Sequence, residues 1–386
     1  MNCSKKEGNE LKRKIISTII FISLLTLAAT SIPTCTAAKP KVVLHAKGAL
    51  QADRQLQAIM ENITWVNWVL VMGELTASDL ADAKMLITVR VDAALNYTAA
   101  ELEAIDQWFS TGGKAIWVAG DSDYPSDNGR ILSGNALFEY LGSVLRFESC
   151  ETVDPETNAG ADYRVYGVPD NCAPELSFLV QGVNYALFHG PGLIVGYYDG
   201  EYHKLEAERP SNVYLIMTSS ETGTTAEFTE PIAQVHEVGE TGEFPLLVME
   251  INYAKKNIVI ASADGPFDHY TGMYMPELYG IQRYSIDYPQ QGAVLFKNIV
   301  DFVLSFADTM ITQHNQITTM QGQISTLQGQ ITTLQGQVST LQGEIDDLES
   351  QVAAAKGNVT MWQGIAIALL VVGLVVGVAI KSLMKK

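Results

Sequence analysis

From Ile317 the chain repeats every seven residues, as ITTMQGQ ISTLQGQ ITTLQGQ VSTLQGE IDDLESQ VAAAKGN. Six consecutive heptads restrict this stretch to a long helix with one apolar seam. Ile317, Ile324, Ile331, Val338, Ile345 and Val352 occupy position a, and Met320, Leu327, Leu334, Leu341, Leu348 and Ala355 occupy position d. β-branched residues at a with leucine at d favour a parallel dimer, and a trimer is the alternative. Gly322, Gly329, Gly336 and Gly343 fall at the solvent-facing f position, where each costs about 1 kcal/mol relative to alanine. Glutamine fills most e and g positions, so few charge pairs support an isolated helix. Stability has to come from the seam, and the stretch predicts self-association; a flexible polar linker is the bland alternative. A helix over residues 309–357 would be roughly 70 Å long, a stalk (308–357) holding the preceding domain well above a membrane.

A membrane is expected because WQGIAIALLVVGLVVGVAI, Trp362 to Ile380, contains no charge. With Met361 it supplies about the 20 residues needed to cross a hydrocarbon core. The predicted span is 358–381 and the tail 382–386. Trp362 suits one interface, and Lys381, Lys385 and Lys386 suit the cytoplasmic side. Gly373 and Gly377 form a GxxxG pattern that lets two spans pack closely. At the other end, Lys5, Lys6, Lys12, Arg13 and Lys14 precede the apolar run IISTIIFISLLTLAAT and the small residues TCTAA, which reads as a signal peptide over 1–38. A retained N-terminal anchor is the alternative. IPTC lacks the usual leucine of a lipoprotein box, so Cys35 is not read as a lipid anchor. The expected location is the cell membrane, single-pass, with the N-terminal domain outside and a short cytoplasmic C-terminus.

Two observations agree with an outside location. Asn62, Asn96 and Asn358 each begin an N-x-Thr acceptor triplet. Cys150 and Cys172 remain after signal removal, either as a disulfide or as a free pair. The net charge is −18, and the basic residues of signal and tail leave the portion between them more acidic still. That argues against nucleic acid or anionic membrane surface as partners and permits cation binding.

Residues 39–307 suffice for one large domain with a substantial core. KVVLHA, WVNWVLVM, KMLITVRV and KAIWVAG read as strands, and DRQLQAIMENI and TAAELEAIDQWFSTGG as helices. In the second helix Thr98 caps, Glu101 completes a capping box and Gly112-Gly113 stops the turn; Leu102, Ile105, Trp108 and Phe109 are its buried stripe. This alternation predicts an α/β fold with a mostly parallel, helix-covered sheet. The stretch from Cys150 to Pro245 is rich in Gly, Tyr and Pro and reads as extra strands and loops.

The run LTASDLADAKMLITVRVDAALNYTAAELEAIDQWFSTGGKAIWVAGDSD, with the later KKNIVIASADGPFDHY and the closing GAVLFKNIVDFVLSF, resembles the class I (type 1) glutamine amidotransferase-like, flavodoxin-like fold. More narrowly, it is similar to non-catalytic members found in bacterial and archaeal surface and ABC-transporter-associated proteins. That resemblance implies a G-x-C-x-G nucleophile corner at Gly120-Asp121-Ser122-Asp123, where no cysteine stands. The family's H-x-E pair is not matched by QVHEVGE, so amidotransferase activity is not expected.

Other chemistry is weighed on the residues themselves. Ser122 partly fits the hydrolase elbow G-x-S-x-G, but Asp121 and Asp123 would oppose an alkoxide there. Asp121, Asp123 and Asp127 offer hard oxygen ligands for calcium, off the regular loop spacing. Asp264, Asp268 and His269 join a ligand or ion site if two acidic corners meet at one sheet edge. The alternative is that Asp121 caps the next turn and the others are solvated. The histidines lack helical zinc spacing, and FHGPG reads as a turn between strands. The expectation is a non-catalytic surface binding or structural protein. Its partners would be copies of itself, the membrane, and envelope, surface-layer or transporter proteins. The alternatives are an extracellular metal-assisted hydrolase and an accessory subunit of an ABC-type transporter.

Overall fold

The structure, a computed structural model, describes residues 38–48, 53–90, 92–124, 127–226, 235–266, 273 and 290–384. The signal-peptide expectation, Ala38 apart, lies outside the described residues, as do Asp268 and His269. The chain divides into two compact units, Met1–Asp308 and Thr309–Lys386.

The first unit opens with regular alternation: β1 (Lys41–Lys47), α1 (Asp53–Asn62), β2 (Asn67–Val71), α2 (Ala77–Leu80), β3 (Ala83–Arg90), α3 (Ala99–Ser110), β4 (Ala115–Ala119) and α4 (Asn128–Leu141). β4 is apolar and buried throughout, and β1 is buried except at partly exposed Lys41, as strands covered on both faces must be. α3 begins where the hydroxyl-to-carboxylate pattern places it. The Glu101 amide donates to Thr98 Oγ1 at 3.2 Å and the Thr98 amide donates to Glu101 Oε2 at 2.7 Å. It ends before Gly112 and Gly113, whose φ values of 80° and 66° stop a helix.

Ten further strands follow: β5 (Leu145–Glu148), β6 (Glu151–Val153), β7 (Arg164–Gly167), β8 (Ala186–His189), β9 (Leu193–Tyr198), β10 (Glu201–His203), β11 (Val213–Thr218), β12 (Thr224–Ala226), β13 (Pro245–Asn252) and β14 (Asn257–Ser262). The central sheet has seven strands in the order β11-β13-β14-β4-β3-β1-β2. β2, β1, β3, β4 and β14 run parallel, while β13 pairs antiparallel with both β14 and β11. The fold is therefore α/β with a mostly parallel sheet. The extra strands take two forms: β11 and β13 extend the central sheet, and the others build small antiparallel sheets, β10-β9-β5, β12-β6 and β7-β8.

Adjacent side chains of β4 show how the sheet is covered, because successive residues of a strand point to opposite faces. Trp117 is fully buried, donates from Nε1 to Ser262 Oγ at 2.8 Å, and lies 5.6 Å from the ring of Phe296 in α5 (Gly292–Leu383). Val118, on the other face, lies within contact range of Gly134 in α4.

The second unit consists of α5 alone, whose earlier turns belong to the first unit. The helix is unbroken through all six heptads, and the seam residues Ile324, Leu327, Ile331, Leu334, Val338, Leu341, Ile345 and Leu348 are exposed in the single chain. Within Gln316–Ser382 it contains a run long and apolar enough to cross a membrane, consistent with a single-pass anchor. Asn62, Asn96 and Asn358 are not buried.

Glu101 holds the start of the first unit together. Fully buried, it ion-pairs with Lys47 of β1 and accepts the amides of Leu75 and Thr98. Burial opposes its ionisation, but these donors win and hold its carboxyl below the usual range. Glu101→Ala strands a buried ammonium and is expected to cost about 3–5 kcal/mol. Exposed Glu103→Ala on the same helix should change stability by less than about 0.5 kcal/mol. Urea unfolding followed by tryptophan fluorescence measures both.

Candidate functional site

β4 and β14 are parallel neighbours, so the loops that leave them emerge side by side at the carboxyl edge of the sheet, where open α/β sheets bind ligands. The Gly120 amide donates to Ser262 O at 2.8 Å and ties the two exits together. Gly120 is required there, since a Cβ would sit 2.8 Å from the Phe147 ring. The turn His189 to Gly192, between β8 and β9, packs against both exits. Gly190 O accepts the Ser122 amide at 3.1 Å, the Gly192 amide donates to Ala263 O at 3.0 Å, and the His189 amide donates to Asp264 Oδ2 at 2.8 Å. Gly192 has no room for a side chain, its Cβ direction ending 2.4 Å from Asp121 O. The exits that carry Asp121 and Asp264 lie side by side, with the HGPG turn laid across them.

The carboxylates are buried within this arrangement: Asp121, Asp123 and Asp264 are 7%, 1% and 1% exposed. The Arg130 Nη1, in the first turn of α4, donates at 2.6 Å to both Asp121 Oδ2 and Asp127 Oδ1. The cation shared by Asp121 and Asp127 is a guanidinium of the same chain, and among the described residues no three acidic, histidine or cysteine side chains are grouped to hold a metal ion. Nor does Asp121 cap α4. Its Oδ1 accepts the neighbouring Ser122 amide at 2.8 Å, and Asp127 takes the N-cap position without a side-chain capping bond.

Ser122, which partly fits the hydrolase elbow in sequence, is 3% exposed, and its Oγ accepts the Tyr124 amide at 3.4 Å. In an acyl-transfer elbow the amide after the nucleophile stabilises the oxyanion. Here that amide, on Asp123, donates to Cys150 O at 3.3 Å. The backbone amides of Ser122, Asp123 and His189 thus serve to hold the loops together.

Two buried polar clusters carry no short-range signature in the sequence. The strand order reverses direction between β1 and β3, the switch point where such sheets open a crevice. At its β1 side lie buried His45 and Lys47. His45 Nε2 hydrogen-bonds Gly73 O at 2.9 Å, and burial pushes its pKa down. The second cluster joins three distant segments: His236 Nδ1 lies 2.5 Å from Glu148 Oε2 and its Nε2 lies 2.9 Å from Glu206 Oε1. Burial alone would depress the imidazole, but the two carboxylate hydrogen bonds overcome it and raise its pKa to about 9. For Arg130 the sequence did carry a signal, its i,i+3 spacing from Asp127; for Glu148 and Glu206 it carried none.

Of the two alternatives for Cys150 and Cys172, the structure has the free pair. Both thiols are free. Cys150 is packed with Leu193, Val195 and Phe244, whereas the Cys172 thiol points to Ala173 O at 3.7 Å. Burial pushes both thiols up, Cys172 to about 11.

No protein-family model and no curated protein matches the chain. Among solved structures it is distantly similar to the mmIFT52 N-terminal domain, at 12% identity and a TM-score of 0.41, covering 67% of this chain and 99% of that one. It is also distantly similar to a proposed GMP synthase subunit from Thermoplasma acidophilum, at 12% identity and a TM-score of 0.34, covering 70% of this chain and 97% of that one.

Two outcomes are expected at these sites. Arg130→Gln leaves two carboxylates facing each other and should cost about 3 kcal/mol in urea unfolding, whereas chelator should leave the wild-type midpoint unchanged. The folded-state pKa of His236 lies above its unfolded value, so its stabilisation is fully present below pH 6.5 and is lost as pH rises through about 9. The stability difference between wild type and His236→Gln should therefore shrink between pH 7 and pH 10.

Proposed function

We propose that the chain is a membrane-anchored, self-associating surface protein whose amidotransferase-like domain binds a partner and does not catalyse. The observation that carries this reading is the unbroken α5, with an exposed apolar seam at a 3.5-residue repeat leading directly into a membrane-length apolar run. A seam of that length gains its stability by burial against copies of itself. The N-terminal signal and the terminal lysines support an outside location for the domain. The corner supports binding over chemistry, because Arg130, the HGPG turn and the Asp123 amide take up the groups that a nucleophile or metal would use. The partner class is an envelope component: a surface lattice, a transporter subunit or an extracellular ligand.

Reconstituted in vesicles, the full chain should count as two or three copies per particle by single-molecule photobleaching. Paired Leu327→Asn and Leu334→Asn changes should weaken association by at least about 100-fold, since each buried leucine contributes about 1.5–3 kcal/mol. A wild-type chain that counts as single copies at every density would sink the proposal. Envelope proteins that co-purify through Asp121→Ala and Asp123→Ala would support binding by the domain. Hydrolysis of a glycan or peptide abolished by those changes would favour an enzyme instead.

A further inference from the structure

A parallel coil sets residue g of one heptad beside residue e of the next heptad on the neighbouring chain. Along α5 this pairs Gln323 with Gln328, Gln330 with Gln335, Gln337 with Gln342 and Gln351 with Lys356, one residue from each copy. The exception is Glu344, which meets Glu349 of the second copy. The geometry holds for a dimer or a trimer, so every g–e contact at this level sets two carboxylates together. Asp346 and Asp347 lie between them at b and c, and all four acidic residues are exposed. Gln342 Nε2 donates to Asp346 Oδ1 at 3.3 Å, but a neutral amide does not cancel the charge. No lysine or arginine lies between Asp308 and Lys356. Lys356 stands seven residues past Glu349, about 10 Å along the helix. The seam residues of this heptad, Ile345 and Leu348, are as apolar as those above it.

Resting on the self-association reading, we propose that the fifth heptad is a charge-gated joint in the coil. The amide-lined heptads from Ile317 to Leu341 stay closed at any ionic strength. The section at Ile345–Leu348, on the span side of the stalk, is held loose by the Glu344–Glu349 contacts and closes when their charge is screened or removed. Amide pairs carry no net charge, so salt distinguishes the two sections. Raising salt from 0.01 M to 1 M shortens the screening length from about 30 Å to about 3 Å.

The test uses the full chain in phosphatidylcholine vesicles with nitroxide labels at Gly329→Cys or Ser350→Cys. Both are f positions that leave the seam intact, and the other cysteines except buried Cys150 are replaced by serine. Pulsed electron paramagnetic resonance then reads the inter-chain distances. At 0.01 M NaCl the Gly329 distribution should be narrow and the Ser350 distribution broad. At 1 M NaCl, or with E344Q and E349Q at low salt, the Ser350 distribution should collapse to the Gly329 width. Equal narrow widths at low salt overturn the joint, and so does a Ser350 distribution that stays broad under both treatments. Absence of any inter-chain distance at Gly329 overturns the self-association reading itself, a result distinct from the other two.

Discussion

The pairing of β4 with β14 is the constraint on which the first unit depends. It joins Ala115–Ala119 to residues 258–262 across the whole intervening chain, residue against residue in parallel register. Everything from α4 to β13 is thereby looped out and returned, and the loops leaving the two strands have to share one edge. Trp117 fixes the pair from one face through its bond to Ser262, and Gly120 fixes it at the exit through the backbone. The loss of conformational freedom in closing so long a loop is offset by burial, since all six residues of β14 and all five of β4 are buried.

That shared edge explains the state of the acidic corner. Carboxylates taken out of water must be paired or hydrogen-bonded. Asp121 and Asp127 meet this requirement with Arg130, and Asp264 meets it with backbone amides from the HGPG turn and from Gly265. Arg130 thus ties Asp121 and Asp127 together in an ion pair internal to the chain.

Much of the fold was legible because it is local. Thr98, Glu101 and Gly112-Gly113 bound α3 by chemistry confined to the helix itself, and β1, β3 and β4 announce themselves as short apolar runs. The α4 helix was not legible, as it carries no side-chain cap and polar and apolar residues mix around its surface. The segment between Cys150 and Pro245 was read only as extra strands. Its pairings join strands such as β6 and β12, far apart in sequence, and no short-range pattern specifies such partners. The Glu148–His236–Glu206 cluster was hidden for the same reason, its members coming from three separate segments.

The sequence by itself determined the periodic and the capped parts: the six heptads, the membrane-length apolar run, and the alternating strands and helices of the first third. Each follows from spacing along the chain, which fixes the face a side chain occupies. Only the tertiary structure decided that Asp121 and Asp127 share Arg130, that Cys150 and Cys172 stay apart, and which carboxylates His236 joins. Those outcomes depend on which distant segments share a burial site, and a buried charge takes whatever partner the fold brings within reach.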